Sequence, residues 1–194
     1  MAALDWIAWL VLCVQMPIPL FWLVVHPWIG FWRPRPRLVF ALVGPAVWAL
    51  VDGVLLIFRE RLFASGHAPL WAIAAGLILM AADLYFLLRV HRELGGFRLF
   101  GRAELAGARE MMQTGLYARV RHPRYTGMMA AVLGACLVAG TLLLWVVAAA
   151  WWLLAVLAVA LEERELRVRF GDAYADYARR VPRFLPFRFW PREE

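Results

Sequence analysis

Between Thr114 and Gly127 the chain sets Tyr117, Arg119, Arg121, His122 and Tyr125 directly before a long apolar run, and a second charged cluster, Glu162 to Arg169, closes that run. If the chain crosses a membrane after the first cluster and returns before the second, the two clusters meet at one membrane face. The residue types suit holding a polar ligand. Glu163 can accept from hydroxyls or pair with a cation, while His122 and Tyr125 offer hydrogen bonding and stacking. Arg121 can grip a carboxylate with two parallel N–H donors, and Glu162 is placed to steady it.

These residues need elements to position them, and the composition says what those elements are. Hydrophobic residues make up 64% of the 194, and apolar stretches near the twenty-residue length of a bilayer-crossing helix recur along the chain. The reading is an all-α integral membrane protein with about five transmembrane helices, at roughly Leu4 to Val25, Leu38 to Phe58, Pro69 to Arg89, Tyr125 to Gly140 and Thr141 to Leu161. Helices are required because backbone in lipid must satisfy its own hydrogen bonds. The first span carries Asp5 where a cleavable signal would carry positive charge, so it is expected to remain. The last two spans, joined at Gly140 and Thr141, form a helical hairpin whose small residues, including Gly127 and Gly134, permit close helix approach. Beyond Leu161 the helix should continue into water as far as Gly171, after which Asp172 caps a short C-terminal helix. Leu166, Phe170, Tyr174 and Tyr177 give this tail an apolar, aromatic face, expected to pack on the membrane surface or on other helices. Two regions follow: residues 1–90, whose three helices shape the side of an acceptor molecule, and residues 91–194, which carry the polar clusters.

All 21 basic residues are Arg. They crowd between the first and second spans, between the third and fourth, and after the fifth, with only Arg59 and Arg61 between the second and third. The positive-inside rule then puts the N-terminus outside and both clusters on the cytoplasmic side. The net charge of +7 suits anionic headgroups, and no basic segment forms a soluble module for a nucleic-acid groove. Trp6, Trp28, Trp32, Trp71 and Trp190 lie near span ends as interfacial anchors. Cys13 and Cys136 lack metal or redox spacing and read as packing residues, and no metal ligand set is expected. Gly95, Gly96, Gly101 and Gly107 read as loop punctuation, because no strand and helix pattern surrounds them.

Gly115-x-Tyr117 followed by Arg121-His122-Pro123-x-Tyr125-x-Gly127 resembles the signature of the isoprenylcysteine carboxyl methyltransferase and phospholipid methyltransferase superfamily. Glu162-Glu163-x-x-Leu166, then Phe170-Gly171-x-x-Tyr174-x-x-Tyr177 and Val181-Pro182, is similar to the C-terminal motif of that family, in the same order. The resemblance covers roughly Thr114 to Pro186. It implies methyl transfer dependent on S-adenosyl-L-methionine, with Gly115, Tyr117, His122, Pro123, Tyr125 and Glu163 binding that cofactor and Arg121 and Glu162 near the reacting acceptor. Such a transfer is an in-line displacement, so the protein mainly supplies alignment, desolvation and charge placement.

Competing readings bear on each residue. Arg119 and Arg124 beside a span ordinarily meet lipid phosphates, and only the motif singles out Arg121. Glu165 reads as an ordinary helix partner of Arg169. His26, next to Pro27, reads as a capping or interface residue, and His67 and His91 take no role. Asp52 and Asp83 lie inside spans, where an ionisable group lines a cavity or has a partner such as Arg89 for Asp83. At the level of function the alternatives are an NADPH-dependent membrane reductase of the sterol-reductase type and a non-enzymatic membrane scaffold. The expected partners are membrane lipids and a lipophilic small-molecule acceptor: a prenylated cysteine carboxylate, a phospholipid amine, a small thiol or an isoprenoid acid. The arginine-only composition points to a GC-rich bacterial source and an inner-membrane setting. A monomer is adequate for a site built from one hairpin.

Overall fold

The computed structural model describes residues 3–64, 68–94 and 111–185. Gly95, Gly96, Gly101, Gly107, His67 and Trp190 lie outside the described residues. Among those described there is no strand, and four helices are long and apolar enough to cross a membrane: α1 (Ala3–Trp32), α2 (Pro36–Leu62), α3 (Leu70–Leu94) and α5 (Leu142–Phe170). Between the last two lies the shorter apolar helix α4 (Pro123–Ala139), and α6 (Asp172–Arg180) follows. The chain is an all-helical integral membrane protein.

Helix α4 is the centre. At about 1.5 Å per residue its 17 residues reach roughly 26 Å, short for a lipid-facing span. Most of it is buried against α1, α3 and α5 instead. Its broadest contact is with α3, beyond the contact with its hairpin partner α5. The reason lies in the glycines. A Cβ on Gly76 would fall 2.6 Å from the Gly134 carbonyl oxygen, and one on Gly134 would fall 2.5 Å from the Gly76 oxygen. Seven residues along each helix, Gly127 faces Asp83 in the same antiparallel register. Two bare backbones can thus touch where side chains would hold them apart.

The link between α4 and α5 is as short as expected. Gly140 takes φ +67°, and its N–H donates to the Cys136 carbonyl. Thr141 accepts from the Leu144 N–H at 3.4 Å and donates to the Leu62 carbonyl at 2.6 Å, which ties the turn to the end of α2. Arg59, near that same end, stacks on Trp6 of α1. At the opposite end, Arg33 after α1 pairs with Glu165 of α5. The helices are therefore sorted by end, and both polar clusters occupy the end marked by Arg33.

Helix α5 continues beyond its apolar part to Phe170, and Gly171 turns the chain at φ +54°. Asp172 does not cap α6. Gly171 is the residue preceding that helix, and no side-chain cap hydrogen bond forms, so Asp172 contributes only its charge to the first turn. The aromatic face of α6 folds back on the chain itself: Tyr174, Tyr177 and Val181 pack with Leu166, Phe170 and Met111.

Asp83 is paired, though with Arg124 and not with Arg89. Arg124 donates to Asp83 Oδ1 and, at 2.9 Å, to Gln15 Oε1, while Gln15 Nε2 donates to Asp83 Oδ2 at 2.7 Å. One residue each from α1, α3 and α4 closes this triad. Arg89 instead pairs with Glu93 at 3.1 Å, and Asp52 sits beside Cys13.

Replacing Gly134 with Ala should separate α3 from α4 and lower thermal stability in detergent, by about 1–3 kcal/mol as for an overpacked core. Gly53→Ala, where a Cβ meets nothing within 4 Å, should leave the melting temperature unchanged or raise it.

Candidate active site

The segment after α3 begins the site with a single turn, Gly115–Ala118. Gly115 needs φ +62°, and a side chain there would strike the Glu93 carboxylate. Glu93 accepts from the Leu116 N–H at 2.9 Å, so the last turn of α3 caps this turn. From the other side the Tyr177 hydroxyl donates to the Tyr117 carbonyl at 2.7 Å. Burial pushes the Tyr177 phenol up to about 12, which keeps it a neutral donor.

The next residues converge on one carboxylate. Glu163 is 1% exposed, and Arg121 reaches its Oε1 through Nε at 3.0 Å and Nη2 at 2.9 Å. Arg183 approaches from the opposite direction, with Nη2 2.6 Å from Oε2 and Nε 3.1 Å from Oε1. His122 Nε2 lies 3.2 Å from Oε1. The remaining Arg121 nitrogen donates to the carbonyls of Ala178 at 2.8 Å and Val181 at 2.6 Å, where α6 ends. Buried charge is tolerated when paired and hydrogen-bonded on this scale.

The chain after α6 is strapped across the same point. The N–H groups of Arg121 and His122 donate to the carbonyls of Pro182 and Arg183 at 2.8 and 3.1 Å, and the Thr126 hydroxyl lies 2.7 Å from the Phe184 carbonyl. Phe184 and Tyr125 then flank the His122 ring, each with centroids 6.2 Å away. Burial holds the His122 pKa below its usual value, against the opposing pull of Glu163. The imidazole is thus neutral, with Nε2 toward Glu163 and Nδ1 3.7 Å from Glu162 Oε2.

All eight residues singled out in the sequence therefore gather at one end of the bundle, in three groups. Arg121, His122 and Glu163 interlock, with Glu162 beside them; Pro123 and Tyr125 form the first turn of α4; Gly115 and Tyr117 stand on Glu93 and Tyr177. Arg121 meets Glu163, one helical step beyond the Glu162 expected to steady it, and Glu162 lies beside the His122 ring. Sequence reasoning missed Arg183 and Glu93. Arg183 follows the Val181-Pro182 pair directly, and that proximity is the one signal that marks it, whereas nothing near Glu93 in sequence does.

The rings of His122, Tyr125 and Phe184 stand together here, with the Glu162 carboxylate beside His122, so aromatic faces and negative charge share one place. Among the described residues no group of three His, Cys, Asp or Glu is spaced to hold a metal.

Residues 71–173 match the phospholipid methyltransferase family. The chain is also 33% identical over 159 residues to methanethiol S-methyltransferase 2 of Bradyrhizobium diazoefficiens, an alignment covering 81% of this chain and 53% of the relative. The chain thus spans about half the length of that relative. No solved structure gives a significant match.

Glu163→Ala strips the shared partner from Arg121, Arg183 and His122, and should destabilise the protein by about 3–5 kcal/mol, the usual cost of breaking a buried ion pair. Arg183→Ala should cost less, because its side chain is 36% exposed. Both are read by thermal unfolding in detergent. The pH dependence follows from His122: with its folded pKa below the ordinary 6.5, the unfolded chain takes up the proton first. That contribution to stability is present above pH 6.5 and is lost as pH falls below it. The melting temperature of wild type should fall in that window more steeply than that of His122→Gln.

Proposed function

The chain belongs to the phospholipid methyltransferase family, and on that premise we propose that this membrane methyltransferase moves a methyl group from S-adenosyl-L-methionine to a small lipophilic thiol. The observation that carries the reading is the convergence of both polar motifs on Glu163 at one end of the bundle. A thiol is favoured over the carboxylate and amine acceptors because the aligned relative is a methanethiol S-methyltransferase.

S-adenosylmethionine supplies the electrophilic methyl carbon. The protein need only align it, exclude water and balance charge. Glu162 is assigned to the cationic or hydroxyl-bearing part of the donor, and Tyr125 and His122 to its aromatic part. Gly115 and Tyr117 shape the backbone wall. Arg121, Glu163 and Arg183 are assigned to the frame. Their donors and acceptors are spent on one another, so they orient His122 and the strap at residues 182–184 and leave direct contact to their neighbours. Pro123 contributes by ending the extended stretch and starting α4 without a wasted N–H.

With the Arg-rich ends of the helices on the cytoplasmic side, as the positive-inside rule requires, this site opens to the cytosolic supply of the donor, in a bacterial inner membrane. A single chain provides every residue assigned.

Calorimetry on the purified protein in detergent should show binding of S-adenosylmethionine and not of NADPH. Incubation with ethanethiol should then yield the methyl thioether. Glu162→Gln should weaken S-adenosylmethionine binding by about tenfold, the scale of one lost hydrogen bond to a charged group. Binding of NADPH alone would overturn the methyltransfer reading in favour of a reductase, and binding of neither would favour a scaffold.

A further inference from the structure

His26 has no task in the fold that explains its burial. It is 6% exposed, yet among the described residues neither ring nitrogen has a hydrogen-bond partner. It caps nothing. Its ring stacks on Trp22 at 4.9 Å between centroids, and the turn His26–Trp28 packs against α5. An imidazole left in this state forfeits two hydrogen bonds, which is rare without a ligand to restore them.

The surroundings say what such a ligand carries. His26 lies within electrostatic reach of Arg33, Arg169 and His122. Arg33 and Arg169 share one carboxylate, Glu165, with Arg169 at 3.4 Å, so two guanidinium charges against one carboxylate leave net positive charge. Arg33 Nε and Arg169 Nε and Nη1 are also buried without a hydrogen-bond partner among the described residues. One acceptor, Glu165 Oε2, is left over with them, so the unpartnered atoms are mostly donors, and with a positive balance they fit a small anion. Trp22, on which His26 stacks, belongs to an apolar cluster with Phe21, Val25, Val39, Trp32 and Phe40, whose chemistry suits an alkyl chain.

We infer that His26, Arg33 and Arg169 form the subsite for the thiolate end of the methyl acceptor, with the alkyl group lying on the Phe21–Val39 cluster. The inference rests on the thiol reading above. The thiol gives its proton to water, and the subsite holds the resulting thiolate through the N–H of His26 and the guanidinium N–H groups. The thiolate sulfur forms the new bond to the methyl carbon as that carbon's bond to the sulfonium sulfur breaks, and the bonding pair remains on the departing sulfur. Glu165, the carboxylate of this group, is engaged by both arginines, so the ring is assigned the part of a donor and not of a base.

The test is calorimetric binding of ethanethiol to the full chain in detergent, without donor, across pH 7 to 10, for wild type, His26→Phe and His26→Gln. His26→Phe keeps the stack on Trp22 and removes both nitrogens, whereas His26→Gln keeps a donor. Wild-type affinity should rise with pH as the thiol ionises. His26→Phe should bind about tenfold more weakly, the scale of one lost charged hydrogen bond, and His26→Gln should recover much of the loss. S-adenosylmethionine affinity should be equal in all three. Equal ethanethiol binding in wild type and His26→Phe would overturn the subsite, as would equal loss of ethanethiol and S-adenosylmethionine binding in both variants, which would make His26 a packing residue. Methyl transfer adds the separation from the broader reading. Transfer at equal rates in wild type and His26→Phe refutes the subsite and leaves the thiol methyltransferase standing. Ethanethiol binding that depends on His26, with no transfer in wild type, supports the subsite as an anion site and refutes the methyltransferase reading.

Discussion

A carboxylate removed from water is tolerable only when its charge is answered at short range, and Glu163 is answered by Arg121, Arg183 and His122 together. The four residues come from three separate stretches of chain. Arg121 and His122 precede α4, Glu163 stands on the extension of α5, and Arg183 lies beyond α6. The same guanidinium that meets Glu163 also takes the carbonyls that end α6. One charge therefore joins the loop before the hairpin, the helix after it and the tail, and the path of residues 181–185 follows from it.

That junction works only if α4 starts at the right place, and the packing of α4 decides this. Its glycines admit the backbone of α3, and the triad of Gln15, Asp83 and Arg124 pins its first turn to α1 and α3. Arg124 is two residues from His122. A shift of α4 along its axis would break the triad and draw His122 from Glu163 at once, so the membrane packing and the polar junction set each other's register. Tyr177 and Glu93 do for the Gly115–Ala118 turn what the triad does for α4.

The same end of the bundle holds two kinds of polar group. Around Glu163 the donors and acceptors are matched within the protein, which makes a rigid frame. Around His26 several are unmatched among the described residues, and most of those left over are donors. Matched groups maintain shape, and unmatched buried groups gain most from a ligand. His26 brings the end of the first helix into that second group, which its apolar sequence alone would hide.

The elements were legible because membrane helices obey a local rule. Some twenty apolar residues must form a helix whatever surrounds them, and Gly140 and Gly171 mark ends through their own backbone freedom, so the spans, the hairpin turn and the extension of α5 could be read along the chain. The two motifs, too, could be read as one site, since a hairpin brings its ends together by geometry. Pairing was another matter. Which of two adjacent glutamates faces Arg121, whether Asp83 meets Arg89 or Arg124, and whether Gly134 faces α5 or α3 depend on how helices rotate about their axes. Arg183 and Glu93 acquire their roles only from neighbours 20 or more residues away. The sequence by itself determined an all-helical membrane protein whose two polar clusters meet at one end of a hairpin; the tertiary structure alone decided the partners, because helix rotation and register answer to the sum of all packing contacts and not to any local stretch of residues.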